Sequence, residues 1–154
     1  MAIKKKFIDT NLKNKSKTVK EKLQLIDFNG NKLPLPTEIE ISESGTCNRK
    51  CSFCPRSAKD FIDKKEFIKN ELHEKMCSEL KNYNYKGTIR YSGFVEPLLD
   101  KNIFNLIKMA RNYLPDCNIE IVTNGDPLNL ERLKKLFTSG LNKILISAYD
   151  GKKE

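Results

Sequence analysis

Apolar and polar residues follow two different periods along this chain. Short apolar stretches, of which residues 38–42 alternate with polar residues, predict β-strands at residues 37–42, 88–92, 118–123 and 143–147. Apolar residues at every third or fourth position predict α-helices in the intervals between these strands. Strands and helices therefore alternate with short links, which predicts an α/β fold of right-handed βαβ units around a parallel sheet.

Three helices are predicted from capping residues and apolar spacing. The first begins at the capping-box-like sequence Asp63-Lys-Lys-Glu66, and its apolar face comprises Ile68, Leu72, Met76 and Leu80. The second covers residues 102–113, and its apolar face comprises Ile103, Leu106, Ile107 and Ala110. The third is capped by Asn129 and closed by Gly140, and its apolar face comprises Leu130, Leu133, Leu136 and Phe137.

The chain before the first core strand falls into two segments. Residues 1–22 are rich in lysine, carry much of the formal net charge of +9, and are predicted to form a flexible basic leader. An arm that binds nucleic acid would favour arginine and interleaved aromatic residues, so a solvated leader is the preferred interpretation. Residues 23–36 predict a β-hairpin that turns at Asn29-Gly30, and residues 37–154 are predicted to be the core domain.

The composition favours a cytoplasmic protein with metal or redox chemistry. No apolar run approaches the roughly 20 residues of a membrane span, and the N-terminus lacks the apolar core of a secretory signal. The chain has five cysteines, and three of them lie too close together to form a disulfide framework. Clustered cysteines in a cytosolic chain more often bind metal or take part in redox reactions.

The cysteine cluster follows directly on the first core strand. Cys47, Cys51 and Cys54 are separated by three and then by two residues, so one short loop can turn their thiolates toward a common point. Iron–sulfur clusters usually have four thiolate ligands, so a compact set of three suggests a cluster in which one iron is open to another ligand.

A structural zinc site is the alternative, and it would require a fourth ligand. Cys77, Cys117 and His73, the single histidine, are the side chains that could supply it. A lone cysteine at such a position is more often a small apolar residue of the core. His73 lies on a charged helix and is interpreted as a surface residue.

Loops of unusual composition follow all four predicted core strands. They are the cysteine loop and residues 93–97, 123–125 and 147–151. In parallel α/β folds, ligands bind at the edge where the carboxyl ends of the strands meet. The four loops are therefore expected to converge on one site.

The cysteine spacing, with Phe53 just before the last cysteine, resembles that of the radical S-adenosylmethionine (SAM) superfamily. The resemblance implies a partial TIM barrel and a [4Fe-4S] cluster held by Cys47, Cys51 and Cys54. It also implies that the amino and carboxylate groups of SAM chelate the fourth iron. An electron from the cluster would cleave SAM to a 5′-deoxyadenosyl radical, which abstracts a hydrogen atom from a substrate.

The later loops are similar to further motifs of this family. Residues 93–99, Gly-Phe-Val-Glu-Pro-Leu-Leu, are similar to a Gly-Phe-Gly-Glu-Pro-Leu-Leu variant of the segment that contacts the methionine part of SAM. Val95 replaces a glycine of that variant, and a β-branched residue does not readily adopt the backbone angles of glycine. The resemblance implies that the SAM-binding residues are Phe53, Gly93, Glu96, Thr123, Asn124, Ser147 and Asp150. It identifies no catalytic acid or base.

The resemblance covers about residues 37–151, or about four of the six βα units of the family's barrel. It implies the N-terminal part of an enzyme similar to the SPASM/twitch branch. Its partners would be a reductant such as flavodoxin or ferredoxin and an unknown substrate, such as a peptide, a sugar or another metabolite. The alternatives are a non-catalytic iron–sulfur or zinc-binding module, and an inactive truncated remnant.

Overall fold

The computed structural model describes residues 17, 19–20 and 23–149. The chain divides into two compact units, one ending at Thr37 and the other beginning at Glu38. The predicted three-way division at residues 22 and 36 stays a prediction, because most of the basic leader and Asp150 lie outside the described residues. In the described part of the chain, no helix is long and apolar enough to cross a membrane.

The first unit contains the predicted hairpin. Strand β1 (Leu25–Phe28) pairs antiparallel with β2 (Asn31–Pro34). Asn29 and Gly30 connect them with φ angles of 52° and 80°, which are the positive values that a tight hairpin turn requires. The Asp27 carboxylate supports the turn by accepting a hydrogen bond from the Gly30 N–H at 3.1 Å.

The second unit is built on a four-stranded parallel sheet. Its strands are β3 (Glu38–Ile41), β4 (Thr88–Tyr91), β5 (Asn118–Thr123) and β6 (Lys143–Ile146). They lie side by side in the order in which they occur in the sequence. Each crossover therefore adds its strand on the same side, as in a βα barrel, and the predicted α/β fold is confirmed.

Three α-helices connect these strands: α1 (Asn70–Asn82), α2 (Ile103–Tyr113) and α3 (Leu130–Thr138). Short 3₁₀ turns at Pro55–Ser57 and Pro97–Leu99 follow β3 and β4. The core lies between α2 and the sheet. All four predicted apolar residues of α2 are fully buried there, together with Ile89, Ile119 and Ile121 of the sheet.

The predicted start of α1 is wrong, and its predicted apolar face is only partly right. The helix begins at Asn70 rather than near Asp63, because the preceding residues pair with the chain that leaves β3, through a bridge between Ser44 and Phe67. The buried residues of α1 are His73 and Cys77. Met76 and Leu80 are half-buried, whereas Leu72 is exposed.

Helix α3 has the predicted ends and a narrower buried face than expected. The Asn129 side chain accepts a hydrogen bond from the Arg132 N–H at 2.8 Å, and Gly140 has a φ of +106°. Leu136 is buried, but Leu130 and Phe137 are exposed. Within the described residues no helix follows β6.

Candidate active site at the carboxyl edge of the sheet

The loops after all four core strands line one cavity of about 250 Å³. Nine of the ten predicted site residues contribute to its wall, and they are Cys47, Cys51, Phe53, Cys54, Gly93, Glu96, Thr123, Asn124 and Ser147. The tenth, Asp150, lies outside the described residues. The cavity forms at this edge because parallel strands all end there, which brings residues about 100 positions apart in the sequence into one wall.

The three cysteines of the loop are free and partly exposed to this cavity. A turn between the second and third of them is closed by a hydrogen bond of 2.9 Å from the Cys54 N–H to the Cys51 carbonyl oxygen. Among the described residues, no three His, Cys, Asp or Glu side chains are grouped closely enough to hold a single metal ion. A [4Fe-4S] cluster binds each thiolate to a different iron, so three separate thiols around one cavity fit a cluster better than a zinc ion.

The side chains considered as a fourth zinc ligand lie in the core and do not line the cavity. Cys77 is fully buried, and Cys117 donates a hydrogen bond of 3.0 Å from its Sγ to the Tyr85 carbonyl oxygen. Burial raises the pKa of Cys77 to about 12 and the pKa of Cys117 to about 11, which disfavours the thiolate that zinc would require. Both cysteines therefore serve as core residues.

The interpretation of His73 as a surface residue is wrong. Its side chain is fully buried, with Nε2 2.8 Å from the Tyr91 hydroxyl oxygen and Nδ1 3.4 Å from the Met109 sulfur. Burial lowers the pKa of His73 to about 4, so the imidazole is neutral at physiological pH. The hydroxyl of Tyr91 supplies the polar contact that makes burial possible, and the local sequence of the helix does not reveal it.

Glu96 connects three loops of the site. Its Oε1 accepts hydrogen bonds from the Thr123 hydroxyl at 2.7 Å and from the Leu98 N–H at 3.1 Å, and its Oε2 accepts one from the Asn124 N–H at 2.7 Å. Its backbone N–H donates to the Thr46 carbonyl oxygen at 2.8 Å. A carboxylate offers about four acceptor positions, so one position on Oε2 has no donor among the described residues and is open to a ligand that donates a hydrogen bond.

In the loop after β4, the position that requires a glycine is that of Gly93 and not that of Val95. Gly93 has a φ of +116°, and a Cβ at this position would lie 2.1 Å from the Ser42 Oγ. Among the described residues other than glycine, only Asn29 and Asn84 have a positive φ. Val95 therefore has an ordinary backbone conformation while its side chain lines the cavity. The expected conflict between Val95 and the loop geometry does not arise.

Several cavity residues were missed by the sequence analysis. Arg49 and Arg56 line the wall beside the cysteines, and Tyr149 lies beside Phe53 of the cysteine loop, where the two rings pack edge to face with centroids 4.8 Å apart. Arg49 forms an ion pair with Asp126. Each of these contacts joins the cysteine loop to residues far along the chain. Of these residues, only the two arginines could have been suspected from the sequence, because each lies two residues from a cysteine of the loop.

A pair of buried carboxyl groups lies at the base of the cysteine loop. Burial, reinforced by the nearby Asp100 and Glu96 carboxyl groups, raises the pKa of Glu43 to about 8. Its Oε1 accepts a hydrogen bond from the Ser44 hydroxyl at 3.3 Å. Glu43 Oε2 and Asp100 Oδ2 have no hydrogen-bond partner among the described residues. At neutral pH Glu43 is therefore mostly protonated in the folded chain.

A comparison with known protein families gives a match over most of the chain. The family model of the radical SAM superfamily matches residues 41–154. The chain therefore belongs to the radical SAM superfamily, which confirms the resemblance drawn from the cysteine motif and, with it, the two cofactors expected from it, a [4Fe-4S] cluster and SAM. The assignment to the SPASM/twitch branch stays a prediction.

Individual relatives are similar over about three quarters of the chain. The S-adenosyl-L-methionine-dependent 2-deoxy-scyllo-inosamine dehydrogenase of Niallia circulans is 31% identical over 115 residues, which are 75% of this chain and 46% of that protein. A probable GTP 3′,8-cyclase of Thermococcus kodakarensis is 30% identical over 120 residues, 77% of this chain and 36% of that protein. The chain thus spans less than half the length of either relative.

A solved structure also has the same fold. The crystal structure of BtrN in complex with AdoMet and 2-DOIA superimposes with a TM-score of 0.72 at 30% sequence identity. The match covers 78% of this chain and 48% of that chain. The four-stranded sheet with its helices is therefore part of a radical SAM partial barrel.

Proposed function

We propose that this chain forms the SAM-activating part of a radical SAM enzyme. Cys47, Cys51 and Cys54 would ligate three irons of a [4Fe-4S] cluster, and SAM would occupy the remaining space of the cavity. When bound, this pair of cofactors supplies a reductive cleavage of SAM to a 5′-deoxyadenosyl radical. The observation that carries the proposal is that three free thiols and the Glu96 carboxylate line the same 250 Å³ cavity.

The residues around the cysteines would bind and orient SAM. The free acceptor position on Glu96 Oε2 suits the amino group of the methionine part. Phe53 would pack beside the adenine, and Gly93, Thr123, Asn124, Ser147 and Asp150 would complete the binding wall. The role of the protein is to hold the sulfonium and the cluster in reactive proximity and to exclude water, because the cofactors carry out the bond cleavage.

The proposal includes a one-electron reductant such as flavodoxin or ferredoxin and a substrate that donates a hydrogen atom. The names of the two relatives describe different reactions, a dehydrogenation and the formation of a cyclic product from GTP. Each nevertheless matches at least three quarters of this chain, 75% and 77% of it. We therefore assign the described residues to the step that these reactions share, the activation of SAM, and assign none of them to a particular substrate.

Anaerobic reconstitution of the full chain with ferrous iron and sulfide tests the proposal. The expected result is an EPR signal of the reduced cluster that changes when SAM is added. Cys51→Ala should abolish the signal, whereas the matched control Cys77→Ala, a buried cysteine outside the cavity, should keep it. A signal that ignores SAM would favour a non-catalytic iron–sulfur protein, and tightly bound zinc without a cluster would favour a zinc module. Either result would overturn the proposal.

A further inference from the structure

Arg56 is the most deeply buried cation of the cavity wall. It lies in the short 3₁₀ turn that follows Cys54, outside the strands and α-helices of the core. Nevertheless only 4% of its surface is exposed. A buried guanidinium is costly unless hydrogen bonds and a counter-charge compensate it. The contacts that compensate this charge show which parts of the chain Arg56 connects.

The guanidinium of Arg56 contacts three segments. One terminal nitrogen donates to the Gly45 carbonyl oxygen at 3.2 Å and to the Phe94 carbonyl oxygen at 3.0 Å. The other forms an ion pair with Asp63, and the guanidinium carbon lies 4.9 Å from the centroid of the Phe61 ring. These partners belong to the chain before the cysteines, the chain after them, and the loop that carries Glu96. A planar fork with five donors suits such a junction, and the single nitrogen of lysine does not.

The two ends of the cysteine loop also pair with each other. The Gly45 N–H donates to the Glu66 carbonyl oxygen at 2.9 Å, and the Ile68 N–H donates to the Glu43 carbonyl oxygen at 2.7 Å. A Cβ at Gly45 would lie 2.0 Å from the Lys64 carbonyl oxygen, so only glycine allows the two segments this close. Residues 43–45 and 64–68 therefore close a loop that contains all three cysteines, and Arg56 lies inside it.

We propose that Arg56 is a positioning residue that holds the closed cysteine loop against the Glu96 loop before any cluster is bound. The proposal rests on the cluster site assigned above and adds a role that no motif of the sequence indicated. A site that is already closed in the cluster-free chain loses less conformational entropy when it binds iron. The positive charge beside the cavity also favours the more negatively charged, reduced state of a cluster bound there.

Hydrogen exchange of the cluster-free full chain tests whether Arg56 holds the cysteine loop closed before a cluster is bound. In Arg56→Lys, exchange at the Gly45 and Ile68 amides should accelerate at least about tenfold, because hydrogen bonds from a charged donor are lost. Exchange at Ile121 in β5 should stay unchanged. The matched control is Arg111→Lys, since Arg111 also braces loop carbonyl groups, those of Pro115, Cys117 and Gly140, at the opposite edge of the sheet. Unchanged exchange at Gly45 and Ile68, or an equal acceleration at Ile121, would overturn the proposal.

The midpoint potential of the reconstituted cluster tests whether the charge of Arg56 favours the reduced state. A purely structural role of Arg56 would not change this potential. Arg56→Gln should shift the potential to a more negative value, Arg56→Lys should shift it less, and Arg111→Gln should leave it unchanged. An identical potential in Arg56→Gln and the unsubstituted chain would overturn this role of the charge. Failure of the unsubstituted chain to bind a cluster would instead overturn the proposed function, and the exchange experiment would still decide the role of Arg56.

A milder substitution covers the case in which Arg56 variants do not fold. Asp63→Asn removes only the counter-charge of Arg56 and leaves its bonds to the Gly45 and Phe94 carbonyl groups in place. We expect faster exchange at the Gly45 amide in this variant, by a smaller factor than in Arg56→Lys. Unchanged exchange at Gly45 in Asp63→Asn would count against the proposal in the same way.

Discussion

The hydroxyl of Thr123 donates a hydrogen bond of 2.7 Å to the Oε1 carboxylate oxygen of Glu96, and both side chains are almost completely buried. This bond joins the loop after β4 to the end of β5. Thr123 Oγ1 in turn accepts a hydrogen bond from the Gly125 N–H at 3.0 Å. The Thr123 hydroxyl therefore couples the two loops that are proposed to hold SAM, together with the Asn124 N–H that donates to Glu96 Oε2.

Thr123→Val should destabilise the chain by roughly 1–3 kcal/mol, because it removes the hydroxyl at nearly constant volume and leaves a buried carboxylate oxygen with one donor fewer. Urea unfolding measures this difference in the free energy of unfolding. Thr123→Ser is the control, since it keeps both hydrogen bonds and loses only a methyl group. Equal stabilities of the valine and serine variants would contradict this role of the hydroxyl.

Gly93→Ala should lower the free energy of unfolding by more than about 2 kcal/mol, because it combines an unfavourable positive φ with a clash against Ser42 Oγ. Gly30→Ala is the matched control. Gly30 also has a positive φ, of 80°, but no atom lies within 4 Å of an added Cβ, so only the backbone term of about 1 kcal/mol applies. Similar losses in the two variants would show that the Ser42 contact relaxes without cost.

Val95→Gly should not improve the site. Because Val95 already has an ordinary backbone conformation, the glycine adds freedom to the unfolded chain and removes a half-buried side chain, so it should cost at least about 0.5–1 kcal/mol. The change that SAM produces in the EPR signal of the cluster should be the same in both proteins. A larger SAM-dependent change in Val95→Gly would mean that the valine side chain obstructs the cavity.

The stability of the cluster-free chain should depend on pH through two buried groups with opposite signs. The pKa of Glu43 rises from 4.5 to about 8 on folding, so the folded chain keeps a proton that the unfolded chain releases. Glu43 therefore lowers the free energy of unfolding as the pH rises from 4.5 to about 8, by up to about 1.4 kcal/mol per pH unit. The pKa of His73 falls from 6.5 to about 4, so its term reduces stability as the pH falls through that lower window.

The two terms oppose each other between about pH 4.5 and pH 6.5, and only the Glu43 term acts between about pH 6.5 and pH 8. Urea unfolding should therefore show a loss of stability mainly in the upper window. Glu43→Gln should abolish this loss, whereas Glu79→Gln, at an exposed position on α1, should keep it. A loss that persists in Glu43→Gln would assign it to another group.

Much of this protein follows from its sequence alone. Short apolar stretches located all four strands of the sheet to within one residue at either end, because the apolar pattern of a strand is a local property of the sequence. The cysteine spacing indicated the superfamily because three ligands within eight residues of chain have to lie close together in any fold. Convergence of the four loops also followed, since parallel strands share one carboxyl edge.

Only the tertiary structure decided how the side chains at that edge are used. The start of α1 is set by pairing between residues 43–45 and 64–68, and the burial of His73 is set by Tyr91, which follows it by 18 positions. Glu96 accepts a hydrogen bond from Thr123, at the end of another strand. Arg56 donates to the Phe94 carbonyl oxygen, and no sequence motif links these two residues. Hydrogen bonds and buried charges depend on partners brought together by the fold, whereas periodicity and ligand spacing are already present in the unfolded chain.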